Sequence, residues 1–221
     1  MRFIKKFIKS GRRPQKVRWG LYRGIYLQLD LHCELQNYFG FYECETFAAI
    51  RSLSSGCKGF LDLGAAKGEL SIYFLRRDGI QKVVAVEPSD AELNLFQTNL
   101  ELNGLGDDDR LYIHRGFAGA GDGSEWQTLD ELVTHLPTPV FLKIDIDGPE
   151  AEVLKSGLSI LRNKDCRLLI ETHSVEAENG CVECLEGLNY KTEVIEQAGW
   201  RYFLPERRPI QHNRWLTGRR R

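Results

Sequence analysis

The feature that most constrains the fold of this chain is an alternation of short apolar runs with longer amphipathic segments after residue 59. Residues 60–63 form an apolar run closed by Gly64, and residues 70–75 continue with helix-compatible side chains up to a turn at 78–79. Residues 83–86 form a second apolar run, rich in valine. Strand and helix signals in this order predict parallel β-α units and therefore a doubly wound α/β sheet.

The same alternation continues to the end of the chain. Ser89 and Glu92 have the spacing of a capping box, and Leu93, Phe96 and Leu100 give the helix that follows a buried face. The further predicted elements are a strand at 111–113, a loop at 116–124, a helix at 129–136, a strand at 140–145, one helix at 151–161, a strand at 167–172, a helix near 182–188, and strands near 191–196 and Trp215. The last two strands suit an antiparallel hairpin at the sheet edge.

A chain of 221 residues is long enough for one α/β domain and short for two. No apolar run approaches the roughly 20 residues of a membrane span, and the amino terminus lacks the apolar core of a secretory signal, so we expect a cytoplasmic protein. Residues 1–55 fit the alternation poorly, because 22–33 predict a hairpin and 43–53 a helix. We interpret 1–55 as a basic arm and cap, preceding a domain over 56–221.

The basic arm is the most uneven part of the charge distribution, since eight Lys and Arg residues stand in positions 1–18, ahead of the first acidic residue. Phe3, Ile4, Phe7 and Ile8 recur at helical spacing beside these cations. This pattern suits a short amphipathic helix on an anionic membrane. The alternative is a solvated leader whose apolar edge packs on the domain.

The segment from Asp62 to Gly68 connects the first predicted strand to its helix. Ligands of doubly wound sheets bind where strands end and neighbouring connections diverge, so this turn lies at the expected crevice. Gly64 and Gly68 allow tight turning and close approach of a ligand, and Asp62 can accept from a cationic amine. The G-x-G-x-x-G pattern of a dinucleotide site is absent. The alternative is an ordinary glycine turn without a ligand.

Glu87 closes the second predicted strand, 25 residues after Asp62. An acidic side chain at this place can accept hydrogen bonds from both ribose hydroxyls of an adenosine ligand. The alternative is a surface glutamate before a proline turn. Dehydrogenases share such an acid, so Glu87 alone indicates an adenosine ligand rather than a reaction.

Several separate blocks of this sequence are similar to one known family. These blocks are FLDLGAAKG at 60–68, VEP at 86–88, TNLELNG at 98–104, TLDEL at 128–132, LKIDIDGPEAEVLKSG at 142–157 and LIETH at 169–173. Together they resemble the FkbM-like methyltransferases, which are S-adenosylmethionine-dependent enzymes most often associated with O-methylation. The family pattern usually has Asn at the position of Ala66 and Glu at that of Asp147. The first difference affects one cofactor-side hydrogen bond, and the second shortens a carboxylate by one methylene.

The resemblance implies a Rossmann-like, mostly parallel, seven-stranded methyltransferase sheet that binds S-adenosylmethionine. It implies Asp62, Gly64 and Gly68 around the methionine part, Glu87 on the ribose, and Phe117 with Ala118 beside the adenine. The full set of cofactor-binding residues that we predict is Glu43, Asp62, Gly64, Ala65, Gly68, Glu87, Pro88, Phe117, Ala118 and Asp145.

Two pairs of polar residues follow the fourth and fifth predicted strands, Asp145 with Asp147 and Glu171 with His173. Residues two apart on a strand face the same way, so adjacent strands can present all four side chains to one pocket. We predict that these four are the catalytic residues. Three roles remain open: direct base chemistry by His173 or Asp147, binding of a hard divalent cation such as Mg²⁺, and structural hydrogen bonding with Lys143.

The carboxyl-terminal segment offers further candidates for substrate contact, namely Arg207, Arg208, His212 and Trp215. The alternative is a plain edge hairpin with exposed cations. As a function we expect O-methylation of a small hydroxylated acceptor, such as a sugar or secondary metabolite, with no specific nucleic-acid partner. Two other functions remain open, methylation of nucleic acid, suggested by the basic arm, and cofactor binding without catalysis.

Overall fold

The computed structural model describes residues 10–198, 201, 212 and 214–221. The strands are β1 (Arg13–Lys16), β2 (Tyr26–Leu29), β3 (Gly59–Leu63), β4 (Lys82–Val86), β5 (Leu111–His114), β6 (Phe117–Ala118), β7 (Trp126–Gln127), β8 (Val140–Ile144), β9 (Cys166–Thr172), β10 (Tyr190–Ile195) and β11 (Arg214–Arg220). The helices are α1 (Leu35–Phe39), α2 (Phe47–Leu53), α3 (Glu69–Leu75), α4 (Asp90–Leu102), α5 (Leu129–Thr134), α6 (Glu150–Lys155), α7 (Leu158–Asn163) and α8 (Val175–Gly187), with a 3₁₀ turn at Cys44–Thr46.

Seven of these strands form one sheet, in the order β10-β11-β9-β8-β3-β4-β5. The pairs among β9, β8, β3, β4 and β5 are parallel, and β11 is antiparallel to both of its neighbours. Leu63 is level with Val86 on one side and with Ile144 on the other, so three central strands end together. The predicted doubly wound, mostly parallel seven-stranded sheet is confirmed, and so is the antiparallel hairpin at its end.

Each face of the sheet buries its own apolar core, because successive side chains of a strand point to opposite faces. On β3, Leu61 and Leu63 belong to one core and Phe60 to the other. The Phe60 ring stacks on Phe74 of α3 with centroids 4.0 Å apart, and Phe141 of β8 packs against both rings. The sheet is therefore covered on both sides, and its carboxyl edge remains available for a site.

Two predicted elements differ in the structure. The single helix at 151–161 is wrong, because α6 and α7 are separate helices. The break gives room to α5: the side chain of Leu129 packs where a Cβ of Gly157 would stand, and the Leu129 N–H donates to Ser156 Oγ at 3.0 Å. The hairpin at 22–33 is also wrong, because β2 pairs with β1, whose polar and largely exposed residues carry no alternating pattern.

The β1–β2 hairpin is fastened to the sheet domain by two asparagines of α4. Asn99 Oδ1 accepts from the Gln28 N–H at 2.7 Å, while its Nδ2 donates to the carbonyl of Lys67 at 2.8 Å. Asn103 accepts from the N–H of Tyr26 and donates to its carbonyl. These side chains take the place of a neighbouring strand. They hold residues 13–29 beside the turn that follows β3.

Candidate active site

Two adjoining cavities lie at the carboxyl ends of β3, β4 and β8. The first measures about 450 Å³ and is bordered by Glu43, Asp62, Ala65 and Lys143, among others. The second measures about 580 Å³. Its lining includes Glu87, Pro88, Phe117, Ala118, Trp126, Asp147, Glu171 and His173. Tyr42, Gly64, Ala66, Glu92 and Asp145 border both cavities, so the two form one continuous crevice.

The turn after β3 is built by residues with left-handed backbone. Gly64 has a φ of 75°, and any Cβ at this position would collide with the carbonyl oxygen of Asp145. Ala66 has a φ of 45°, a conformation in which Asn is more comfortable than Ala. Gly68, with a φ of 83°, lines neither cavity, because its Cα packs against the Phe96 ring. Its role in tight turning is visible, whereas its predicted contact with the cofactor stays a prediction.

Glu87 lies where β4 ends and reaches across to the turn after β3. Its Oε2 accepts from the Ala66 N–H at 2.9 Å, and its Oε1 accepts from the Ser89 N–H at 2.8 Å. Each carboxylate oxygen has a second lone pair available for a ligand hydroxyl. The carboxylate is therefore held by backbone groups at the border of the second cavity, in the place that sequence predicts for a ribose.

Acidic side chains surround one buried ammonium group in the first cavity. Lys143 Nζ donates to Asp145 Oδ2 at 2.7 Å. Burial lowers the pKa of Lys143, but Asp145, Glu43 and Asp62 outweigh it and raise that pKa well above its usual value. Burial raises the pKa of Asp62 to about 6 and that of Glu43 to about 7. The predicted residues Glu43, Asp62 and Asp145 thus meet around Lys143.

Asp62 keeps one carboxylate oxygen without a partner among the described residues. Its Oδ2 accepts from the Ser71 hydroxyl at 2.7 Å, while its buried Oδ1 accepts no hydrogen bond from any of them. An unpaired buried acceptor is costly unless a ligand completes it. The ammonium group of an amino-acid-like ligand has the matching charge and donors. The residues of the first cavity therefore fit the methionine part of S-adenosylmethionine.

His173 gathers the predicted catalytic residues at the far end of the second cavity. Its Nε2 lies 3.8 Å from Asp145 Oδ1, 3.7 Å from Asp147 Oδ1 and 3.8 Å from Glu171 Oε1. The Asp147 side chain is 75% exposed, whereas that of Glu171 is only 6% exposed. Burial, with Glu43 and Asp145 nearby, raises the pKa of Glu171 to about 9. The predicted convergence of all four side chains is confirmed, and their roles stay predictions.

Glu150, which was not among the residues predicted from the sequence, positions the His173 ring by a hydrogen bond. Its Oε1 lies 2.7 Å from His173 Nδ1, and its side chain is fully buried on α6. A carboxylate accepts the Nδ1–H, so the lone pair of the imidazole lies on Nε2 and faces the other carboxylates. This hydrogen bond, together with Asp145 and Asp147, raises the pKa of His173 against the lowering effect of its burial. In the sequence Glu150 stands out only as part of the block at 142–157, which does not indicate that its carboxylate is buried.

The carboxyl-terminal candidates have structural partners instead of a place in the crevice. Trp215 is 1% exposed, and its Nε1 donates to Glu171 Oε2 at 3.0 Å. His212 Nε2 lies 3.3 Å from Glu178 Oε2. Trp215 thus supports Glu171, and the contact of Trp215 and His212 with substrate stays a prediction. Arg207 and Arg208 lie outside the described residues.

Part of the chain that forms this crevice is similar to a known protein family. The methyltransferase FkbM domain matches residues 124–207. This match is a similarity to the family over 84 of the 221 residues. The matched range contains the sequence blocks at 128–132, 142–157 and 169–173, and so includes Glu150, His173 and the three carboxylates near His173 Nε2. No curated protein sequence matches this chain.

Several solved structures of methyltransferases are similar to this chain at low sequence identity. FkbM methyltransferase from Methylobacillus flagellatus has a TM-score of 0.56 and 19% identity, over 74% of this chain and 44% of that one. TYW2 from M. jannaschii, solved with AdoMet, has a TM-score of 0.54 and 13% identity, over 96% of this chain and 88% of that one. Precorrin-6y C5,15-methyltransferase from Geobacter metallireducens has a TM-score of 0.52 and 18% identity, over 81% of this chain and 87% of that one. This chain thus spans less than half of the Methylobacillus chain, and these likenesses show that it shares the fold of the three proteins.

Proposed function

We propose that this protein transfers a methyl group from S-adenosylmethionine to a hydroxyl of a small acceptor. The observation that carries the proposal is the continuous crevice, with an amine-compatible cavity at Asp62, a ribose-compatible carboxylate at Glu87, and an imidazole with several carboxylates beyond them. Sugar-like or secondary-metabolite acceptors suit this site, because its carboxylates can accept hydrogen bonds from several hydroxyls. Methyl transfer to a panel of such acceptors, followed by release of S-adenosylhomocysteine, tests the proposal.

In this proposal Glu87 binds both ribose hydroxyls, so Glu87→Ala weakens binding of S-adenosylhomocysteine. The expected loss is roughly 1.5–3 kcal/mol, the usual value for hydrogen bonds to a charged group. Isothermal titration calorimetry measures it directly. Glu92→Ala serves as the matched control, since Glu92 borders the same crevice without a proposed ribose contact. Equal affinity of Glu87→Ala and the parent protein contradicts the ribose assignment.

The proposed chemical step uses His173 as the base. The residues of the crevice would hold S-adenosylmethionine, which when bound would supply a methyl group on a positively charged sulfur and a neutral thioether as the leaving group. His173 Nε2 takes the proton of the acceptor hydroxyl as its oxygen forms the new C–O bond, and the carboxylates of Asp145 and Asp147 stabilise the resulting imidazolium. Glu150 fixes the imidazole so that Nε2, and not Nδ1, faces the acceptor.

A divalent cation is the alternative means of activating the hydroxyl. Asp145, Glu171 and His173 offer ligand atoms that all lie within 4.8 Å of one another, and carboxylate oxygens suit Mg²⁺ or Mn²⁺. With His173 as a direct base, we expect a chelator such as EDTA to leave the methylation rate unchanged. A rate that EDTA abolishes and Mg²⁺ restores, measured in metal-free buffer, favours the cation instead.

A further inference from the structure

An aromatic platform, formed by Trp19, Phe39 and Phe41, lies on the surface of the cap. Trp19 and Phe39 stack with ring centroids 5.7 Å apart and an angle of 18°, and Phe39 and Phe41 stack at 6.3 Å and 26°. Trp19 remains 52% exposed and Phe41 51% exposed. Large side chains with so much exposed area, adjacent to one another, mark a surface that contacts something other than water.

The platform is held rigidly by its backbone. Gly20 and Gly40 have φ values of 75° and 70°, and their backbones pack so closely that a Cβ on either would clash with the other loop. The Arg18 N–H donates to the Tyr38 carbonyl at 3.0 Å across the same junction. The two loops that carry the aromatic rings are thereby fixed to one another, so the exposed rings are presented by the fold.

The segment that carries Trp19 is basic. Residues 10–29 contain five cations and no acidic residue, and all five side chains are exposed: Arg12, Arg13, Lys16, Arg18 and Arg23. Arg12 is paired with Glu34, whereas Arg18 stacks on the Tyr38 ring and donates to its hydroxyl at 2.8 Å. Exposed aromatic rings among cations match an anionic bilayer surface, where the rings enter the interface and the cations meet lipid headgroups.

We propose that the aromatic platform and the cations of residues 10–29 dock this protein on an anionic membrane surface. Residues 1–9, which lie outside the described residues, continue the same composition, with four apolar side chains at helical spacing among lysines. Two of these four, Ile4 and Ile8, are aliphatic side chains that suit lipid and cannot stack on nucleic-acid bases, which favours a membrane over RNA. None of the described helices is long and apolar enough to cross a bilayer, so the contact is peripheral.

The platform also borders the crevice. Leu35, Gln36 and Asn37 of α1 line the first cavity, and Phe39 and Phe41 follow directly in the chain. Docking therefore brings the crevice close to the lipid surface. The inference on docking is independent of the proposed methyl transfer, because vesicle binding is measured without turnover.

Co-sedimentation of the full chain with vesicles tests the docking. We expect binding to phosphatidylcholine vesicles that contain phosphatidylglycerol, little binding to pure phosphatidylcholine, and release by salt. The double variant Trp19→Ala/Phe41→Ala should weaken binding by at least about tenfold, because it removes the apolar area that enters the interface. Tyr112→Ala is the matched control, since Tyr112 is 48% exposed but lies on the edge strand β5. Thermal unfolding confirms that the variants fold.

Several results overturn the docking proposal. One is equal vesicle binding by the double variant and the parent chain, which assigns attachment to residues 1–9 alone. Others are no vesicle binding at all, salt-sensitive binding of single-stranded RNA without vesicle binding, or self-association that the double variant abolishes. Loss of binding in the double variant but not in Tyr112→Ala supports it.

Discussion

Replacing His173 by Ala is expected to lower the methylation rate by about 100- to 10,000-fold, the usual contribution of a positioned acid-base group. The reason is that Nε2 faces the acceptor end of the crevice, and no other described imidazole borders the second cavity. Binding of S-adenosylhomocysteine should remain nearly unchanged, because Glu87 and Asp62 lie elsewhere in the crevice. Single-turnover kinetics with an accepted substrate measure the chemical step, and calorimetry measures binding.

The matched control is His135→Ala, because His135 is exposed and caps the carboxyl end of α5. Its rate should equal that of the parent protein. Asp147→Asn should also lower turnover, since the Asp147 carboxylate stabilises the imidazolium. Normal turnover in both His173→Ala and Asp147→Asn, with no effect of a chelator, means that the cluster is structural and that the base lies elsewhere.

The pH dependence of the methylation rate follows from the hydrogen bond between His173 and Glu150. The Glu150 contact raises the pKa of His173 above its ordinary value of 6.5, and a base must be neutral to accept a proton. The rate should therefore fall as pH falls through this raised pKa. In Glu150→Gln the acidic limb should move to lower pH, because the group that stabilises the imidazolium is lost. Glu152→Gln, an exposed position on the same helix, should leave the limb in place.

Gly64→Ala is expected to lower the free energy of unfolding by roughly 3–5 kcal/mol, which combines left-handed strain with an overpacked contact. The added Cβ would collide with the carbonyl oxygen of Asp145, so β3 and β8 could not end side by side as they do. The turn that borders both cavities should be displaced, and binding of S-adenosylhomocysteine should fall with stability. Urea unfolding measures the first effect and calorimetry the second.

Gly79→Ala separates strain from collision. Gly79 has a φ of 87°, and a Cβ at this position would meet no atom within 4 Å. The expected loss is only about 1–2 kcal/mol, the cost of a left-handed alanine. Equal losses in Gly64→Ala and Gly79→Ala would contradict the close approach of the two strand ends.

Most of the fold could be predicted from the sequence, because alternating strand and helix patterns strongly indicate parallel β-α units. The runs at 60–63, 83–86 and 140–145 are short and apolar, and the parallel order brings their carboxyl ends to one edge. This also made the meeting of Asp145, Asp147, Glu171 and His173 predictable before any coordinates. The break between α6 and α7 was not predictable from periodicity, because it depends on Leu129 packing against Gly157 from another helix.

Contacts between distant segments were beyond the sequence for the same reason. Glu150 stands in an amphipathic helix, where periodicity explains its neighbours but not a buried carboxylate 2.7 Å from His173. Asn99 and Asn103 were visible only as part of a motif, and their partners on β2 depend on how the cap docks. Lys143 could be named from the sequence only as a hydrogen-bond partner of the cluster. Its place among the carboxylates of Glu43, Asp62 and Asp145 depends on contacts between separate elements.

The most direct test of the central claim is a crystal structure of the protein grown with S-adenosylhomocysteine. We expect electron density for S-adenosylhomocysteine along the crevice, with both ribose hydroxyls in hydrogen-bond contact with Glu87. Its ammonium group should lie at Asp62, and its sulfur should point toward His173. Density for the ligand outside this crevice, or with its ribose away from Glu87, would contradict it.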